Sequence, residues 1–463
     1  MTGVDEAMRR RTGEEVRGLL QWAAAARQRP LPGPVRRRAA LILADDLGAM
    51  VAGSDEPTVV RARRTLAASA TNAEATVFAG GALRADRYTV ATMNGMAATW
   101  CELDEGFREA PCHAGAYALP ALLAEAEAGG ATAEDVLRAL AIAYEITARF
   151  ALAFPFKIMT VHPHAAFATV GAAAGASLAR NQDAKTLLDC VSGATSMAFA
   201  GPYRHATDGA LVRNAWTSAG AWVGLRSADW AEIGIGGLAE TPYDVFVGGF
   251  GTDVDTTALT HDLGGAWAVT NGYHKVFACC QYAHAAIEAS LALYARLDAK
   301  RSADDIAEII VQTHPRGMTL TTIEPPTTLA AKFSMPHAMA ASARLGTGGQ
   351  RAFAEATINE PNIAALRRRV KLTAHPDIRP SPYDRPSRVT WRFADGEAWT
   401  EECASARGGA DQPFDDEVLM NKLDENAGAV FPRMPAILRT IVDGVETTIS
   451  RLWRDVVAEL VSE

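Results

Sequence analysis

The side chains able to do chemistry in this 463-residue chain gather in four short segments. The first, CELDEGFREAPCHAG at 101–115, sets Asp104, Glu105, Glu109 and His113 within ten positions, ahead of an apolar run. An acid and an imidazole so close suit general acid–base catalysis, and they equally suit a solvated loop in which Asp104 caps the next helix. The second, VHPHAAFATVGAAAG at 161–175, flanks a proline with His162 and His164 and runs straight into small residues. Imidazoles at a helix N-terminus meet a field that favours anions and lowers their own basicity. Zinc ligation and a purely structural role are the rival readings of this pair. The third, GPYRHATDGALVRNAW at 201–216, delivers Tyr203, Arg204, His205 and Arg213 to another helix start. There a guanidinium fork suits a carboxylate, or simply caps the helix. The fourth, NGYHKVFACCQYAHAAIE at 271–288, brings Tyr273, His274, Lys275, Cys279, Cys280, Tyr282 and His284 together. A lysine among aromatic and small apolar residues can act as a base or as a carboxylate partner, and the cysteines read more readily as core filler than as nucleophiles.

Other chemistries find no support. The six cysteines include no CxxC pair, and no HExxH, Walker loop, GxSxG elbow or correctly spaced GxGxxG occurs. Neither a metal nor a cofactor is therefore expected. A formal charge of −9 argues against nucleic-acid and anionic-membrane partners. The opening MTGVDEAMRRRTGEEV is polar, and no apolar run is long enough to span a bilayer, so a cytoplasmic protein is expected.

The elements that must position these segments change character along the chain. Apolar residues fall on helical spacing at 37–52 and 133–150, and small-residue helices are expected at 165–180 and 216–232. Residues 281–297 still read as helix. Strands are expected at 306–314 and 369–375, and a hairpin at 387–403 around Asp395-Gly396. After Gly408-Gly409 helical patterning returns, with one long closing helix near 434–461. The expected architecture is mainly α: a large all-helical domain built from 1–268 and 410–463, with a smaller α+β domain at 269–409 inserted between them. The fourth segment then falls at the domain junction, where ligand sites are common.

Taken in order, the acidic loop with its downstream His113, the His162-Pro163 before a GAAA helix, Arg213 before a second small-residue helix, the YHK…CC…H junction and KFSMPHAMA at 332–340 form a distinctive succession. From about residue 40 to about 425 it resembles the MmgE/PrpD family, which includes 2-methylcitrate dehydratase, cis-aconitate decarboxylase and iminodisuccinate epimerase. The resemblance implies a helical domain with an α+β lid, usually as a homodimer, and an active site between the two. It implies catalytic roles for Asp104, His113, His162 and Lys275. Arg213, Tyr273, His274, His164 and Glu105 are expected to bind substrate. Two departures stand out: the acidic loop reads Asp104-Glu105-Gly106-Phe107 and then His113-Ala114, where relatives carry two aspartates, a threonine and His-Pro. Arg213 stands where relatives carry lysine. The implied activity is cofactor-independent proton transfer next to a carboxylate of a small di- or tricarboxylate. Dehydration ranks first, ahead of decarboxylation and epimerisation. A non-catalytic helical binding protein is the alternative from another class.

Overall fold

The computed structural model of the chain describes residues 5–68 and 70–462. Small side chains explain how the helical body closes. Helix Pro163–Ala179 is buried along nearly its whole length and packs against helices Ala114–Gly129 and Ala215–Glu232. A Cβ on Gly171 would stand 2.7 Å from Tyr117 Cβ, and one on Gly220 would stand 2.8 Å from Ala168 Cβ. Both distances are shorter than carbon atoms tolerate, so glycine at these positions sets how closely the three helices approach. Pro163 occupies the first turn, where no amide hydrogen is required. Helix Ala133–Ala153 opens on a reciprocal cap between Thr132 and Asp135.

A four-stranded mixed sheet forms from the later part of the chain. Strand Ile306–Thr313 pairs in parallel with Val370–Ala374 and antiparallel with Ser387–Phe393, which pairs in turn with Ala398–Cys403. The last two strands form the hairpin read at Asp395-Gly396, where Gly396 takes a φ of +92° that suits glycine. Helices His284–Tyr294 and Met335–Leu345 pack against this sheet. The apolar interior divides accordingly. One core gathers residues from Val16 to Val269 with others from Leu419 to Leu460. The second is centred on Phe277 to Phe393, with a few residues such as Trp100 and Leu103 lent by the body.

Two features differ from the sequence reading. The closing segment is three helices, Met434–Val442, Glu446–Ile449 and Trp453–Leu460, rather than one. Gly444 breaks it with a φ of +70°, a backbone state that cannot continue a right-handed helix. The helical body also holds strands, Ala75–Thr76 paired antiparallel with Arg84–Ala85 and Gly106–Phe107 paired antiparallel with Gly272–Tyr273. The second of these short pairs clips the acidic segment to the start of the sheet-bearing unit. No helix among the described residues is long and apolar enough to cross a membrane.

Candidate active site

The clip explains which side chains meet. Residues two apart on extended backbone share a face, and neighbours oppose each other. Along 272–275 this sends Tyr273 and Lys275 one way and His274 the other. Segment 101–105 is turn and bend rather than strand, and its contacts set Glu102 and Asp104 against Lys275 and Glu105 against Gly115 and Tyr144. Glu102 holds a φ of +55°, an uncommon state for a non-glycine residue and one found disproportionately at functional sites. Gly106 must be small, since a Cβ there would stand 2.5 Å from the Tyr273 hydroxyl.

Three helix starts deliver the remaining groups. His113 immediately precedes helix Ala114–Gly129 but does not cap it with its side chain. Its Nδ1 lies 2.7 Å from Asp104 Oδ2 and 2.7 Å from the Glu105 carbonyl oxygen. The capping alternative for Asp104 gives way here, because its carboxylate faces His113 and Lys275 instead. His162 caps helix Pro163–Ala179, its Nδ1 accepting from the His164 amide at 3.1 Å, and its ring stacks on Tyr203. Arg213 sits in the turn Leu211–Asn214 that leads into helix Ala215–Glu232. Its Nη2 lies 2.5 Å from Glu102 Oε1, and its Nε lies 3.4 Å from His162 Nε2. Lys275 Nζ donates to Asp104 Oδ1 at 3.3 Å and stands 3.7 Å from Glu102 Oε2.

Charge states follow from these neighbours. Burial pushes the Asp104 carboxyl up, but Lys275, His113 and Arg213 outweigh it and hold the group well below the usual carboxylate range. Burial opposes the charge on Lys275, yet Asp104 and Glu102 raise it above an ordinary lysine, so it stays an ammonium. Burial, then Arg213 and His113, drive His162 well below the usual imidazole range, so it is neutral. Burial also lifts the Cys280 thiol to about 12, which leaves no thiolate at neutral pH. Among the described residues no three His, Cys, Asp or Glu side chains converge as a metal-binding group.

These groups border a cavity of about 60 Å³, walled by Glu102, His113, His162, Arg213, Tyr273 and, from the sheet-bearing unit, Arg385. Its volume is far below the roughly 300–1,000 Å³ of typical small-molecule sites, so a ligand must push the walls apart. Asp104 and Lys275 stand directly behind that wall, 0% and 1% exposed. Three expected substrate contacts are corrected. Glu105 is turned into the body, accepting from the Gly115 amide at 2.7 Å and from the Tyr144 hydroxyl at 2.9 Å. His274 is turned the same way, its Nδ1 2.6 Å from Asp45 Oδ2. His164 is wedged edge-on against the rings of His162 and His113, its Nδ1 2.8 Å from the Tyr117 hydroxyl. Each is buried and stands off the cavity wall, although Nε2 of His274 and of His164 has no hydrogen-bond partner.

Two charged cavity residues escaped the sequence reading. Glu102 carried no mark beyond its place in the acidic segment, because the turn that aims it, with a φ of +55°, is not readable from spacing. Arg385 carried none, since it arrives from the proline-rich stretch 379–386 with nothing local to mark it. Two family models match the chain: the MmgE/PrpD N-terminal domain over residues 17–253 and the MmgE/PrpD C-terminal domain over residues 277–445. No curated protein matches it significantly.

Proposed function

The chain belongs to the MmgE/PrpD family, and on that premise we propose that it is a lyase that removes a proton next to a carboxylate of a small polycarboxylic acid, with dehydration as the overall reaction. The observation that carries this reading is the Asp104–His113 contact of 2.7 Å, set beside His162 on one small cavity. His113 Nδ1 donates its hydrogen to the Glu105 carbonyl oxygen, with Asp104 Oδ2 at the same 2.7 Å beside it, which leaves the Nε2 lone pair as the base. When His113 takes the substrate proton, Asp104 stabilises the imidazolium that forms, as a carboxylate does for any positioned histidine base. His162 has the opposite polarity. Its Nδ1 accepts a backbone hydrogen at 3.1 Å, and its Nε2 accepts from Arg213 Nε at 3.4 Å. A neutral imidazole accepts at one nitrogen only, so the ring carries its proton on Nε2 once a substrate carboxylate draws the guanidinium away. One imidazole thus takes a proton and the other gives one, which is what loss of hydroxide from a β-hydroxy acid needs.

The carbanion next to a carboxylate resembles a dianionic enediolate, and its charge needs preorganised cations. Arg213 borders the cavity and supplies one. Lys275 acts from behind the wall, where its ammonium fixes Asp104 and Glu102; it is a positioning residue in this scheme and not the base.

The test is incubation in D2O with a panel of di- and tricarboxylates, followed by proton NMR. Deuterium uptake next to a carboxylate together with an alkene product is the expected result. Exchange without alkene would replace dehydration by epimerisation, and CO2 release by decarboxylation. Tight binding with no exchange, alkene or CO2 would leave a binding protein and end the proposal.

A further inference from the structure

The resident charges of the site nearly cancel. Glu102 pairs with Arg213 at 2.5 Å, and Asp104 pairs with Lys275 at 3.3 Å. A polyanion entering such a site meets two carboxylates as well as two cations, so binding requires positive charge from elsewhere. The rim provides it. Arg385 and Arg108 share a single acid, Asp384, with Arg108 Nη2 at 2.8 Å and Arg385 Nε at 3.3 Å. Both guanidinium side chains are only 10–11% exposed, while Asp384 is 35% exposed. The Nε hydrogens of both arginines are buried without a hydrogen-bond partner. Of the two, Arg385 borders the cavity. It rests against a neutral acceptor, Gln281 Oε1 at 2.6 Å, and against the Arg108 carbonyl at 3.1 Å. A carboxylate offers a guanidinium a stronger, two-point partner than an amide oxygen does, so Gln281 holds the place that a ligand takes.

We propose that Arg385 is the second carboxylate-binding group of this site and that, with Arg213, it selects a substrate bearing two carboxylates over one bearing three. The proposal rests on the polycarboxylate reading above. Among the described residues, Arg213 and Arg385 are the lysine or arginine side chains that border the cavity. Two cations receive two carboxylates. A third carboxylate would face Glu102, which borders the same space, and like charges that close oppose binding. The small volume works in the same direction, because a compact acid displaces less wall.

Binding can be separated from catalysis by using acids that lack a leaving group. Calorimetric titration of the full chain with succinate, a dicarboxylate, and with tricarballylate, a tricarboxylate, is the experiment. The unaltered protein should bind succinate at least about tenfold tighter than tricarballylate. Arg385→Ala should weaken succinate binding by about 10–100-fold, the scale of a lost charge-assisted hydrogen bond. Arg385→Lys should recover part of that loss, and melting temperatures identify any variant that fails to fold. Gln281→Ala removes the resting partner and leaves the guanidinium, so its succinate affinity should hold or rise. Equal or tighter binding of tricarballylate, no binding of either acid, or an Arg385→Ala affinity equal to the parent's would each overturn the proposal. So would a loss in Gln281→Ala as large as that in Arg385→Ala, since the clasp would then be merely structural. Succinate binding that behaves as expected, with no deuterium exchange in the D2O panel, would retain this inference and reject the proton-transfer reading.

Discussion

Asp104 and Glu105 are neighbours in sequence, both wholly buried, and they live in opposite chemical worlds. The same is true of Lys275 and His274. Asp104 and Lys275 belong to a cluster beside the cavity. Glu105 and His274 belong to a polar seam inside the helical body, together with Asp45, Asp46 and Lys422. In the seam, Lys422 Nζ donates to Asp45 Oδ1 at 2.5 Å and to the Leu103 carbonyl at 2.7 Å, while Asp45 Oδ2 meets His274. Residues from four distant stretches of chain are thereby pinned together, and all four side chains are buried. The cavity cluster uses the same residue types but sets the His113 and His162 side chains on the wall of free volume. The difference teaches that a buried charge acquires chemistry where it stands beside open volume, whereas enclosure on every side makes it part of the frame.

The comparison breaks first at His113. His113→Ala should lower kcat by about 10²–10⁴-fold, the range for a lost general base, with little change in melting temperature. Measured turnover near the parent's would remove the Asp104–His113 pair from the mechanism. The seam should respond the other way. Lys422→Ala strands the Asp45 carboxylate, and one broken member of a buried ion pair costs about 3–5 kcal/mol of stability. Urea denaturation should register that loss, while kcat of the folded protein stays far closer to the parent's than that of His113→Ala. A collapse of turnover with stability intact would show that the two regions are not separable.

A gentler probe of the seam is pH. Burial raises the Glu105 carboxyl from 4.5 to about 7, with the nearby Asp104 charge adding to the shift. The folded state therefore binds this proton more tightly than the unfolded chain does. Its contribution to stability is complete below pH 4.5 and is lost as pH rises toward 7, by at most about 1.4 kcal/mol per pH unit. Glu105→Gln keeps the shape and removes the titration. Subtracting its urea midpoints from those of the parent between pH 5 and 7.5 should leave a slope of that sign. Parallel curves would mean that Glu105 does not titrate in this range.

Much of this division was legible in the sequence, and its limits are physical. Clustering of acids, imidazoles and lysine in four segments marked the right stretches, because each segment starts a helix or joins the two cores. Proximity in sequence cannot say which neighbour faces the cavity. The alternation of extended backbone can where the chain is extended, and applied at 272–275 it would have put His274 in the frame, whereas the turn at 101–104 hides the same division for Glu102 and Glu105. The hairpin at Asp395-Gly396 was readable because a turn is local. The break at Gly444 was equally local, since a lone glycine inside a helical pattern is also a stop signal. Arg385 was beyond reach because its place depends on packing between segments some 270 residues apart, Arg108 and 384–385.

The smallest expected effect lies at the boundary between the two regions. Arg213 is 1% exposed and as heavily bonded as a seam residue, yet it borders the cavity. Its guanidinium spans Glu102, the Asn214 side chain at 3.0 Å and the Thr99 carbonyl at 3.3 Å, contacts that need several donors held in one plane. Lysine in its place would keep the charge and the Glu102 pair but could not reach all these acceptors at once. Arg213→Lys should therefore fold, retain part of its turnover and raise KM by about 10–100-fold, as expected for one charge-assisted contact. If Arg213 belonged to the frame alone, the substitution would lower the melting temperature and leave KM unchanged. A variant altered in KM with a near-parental melting point places it with the site; the reverse pattern places it with the seam and shifts the task of holding the enediolate charge onto Arg385.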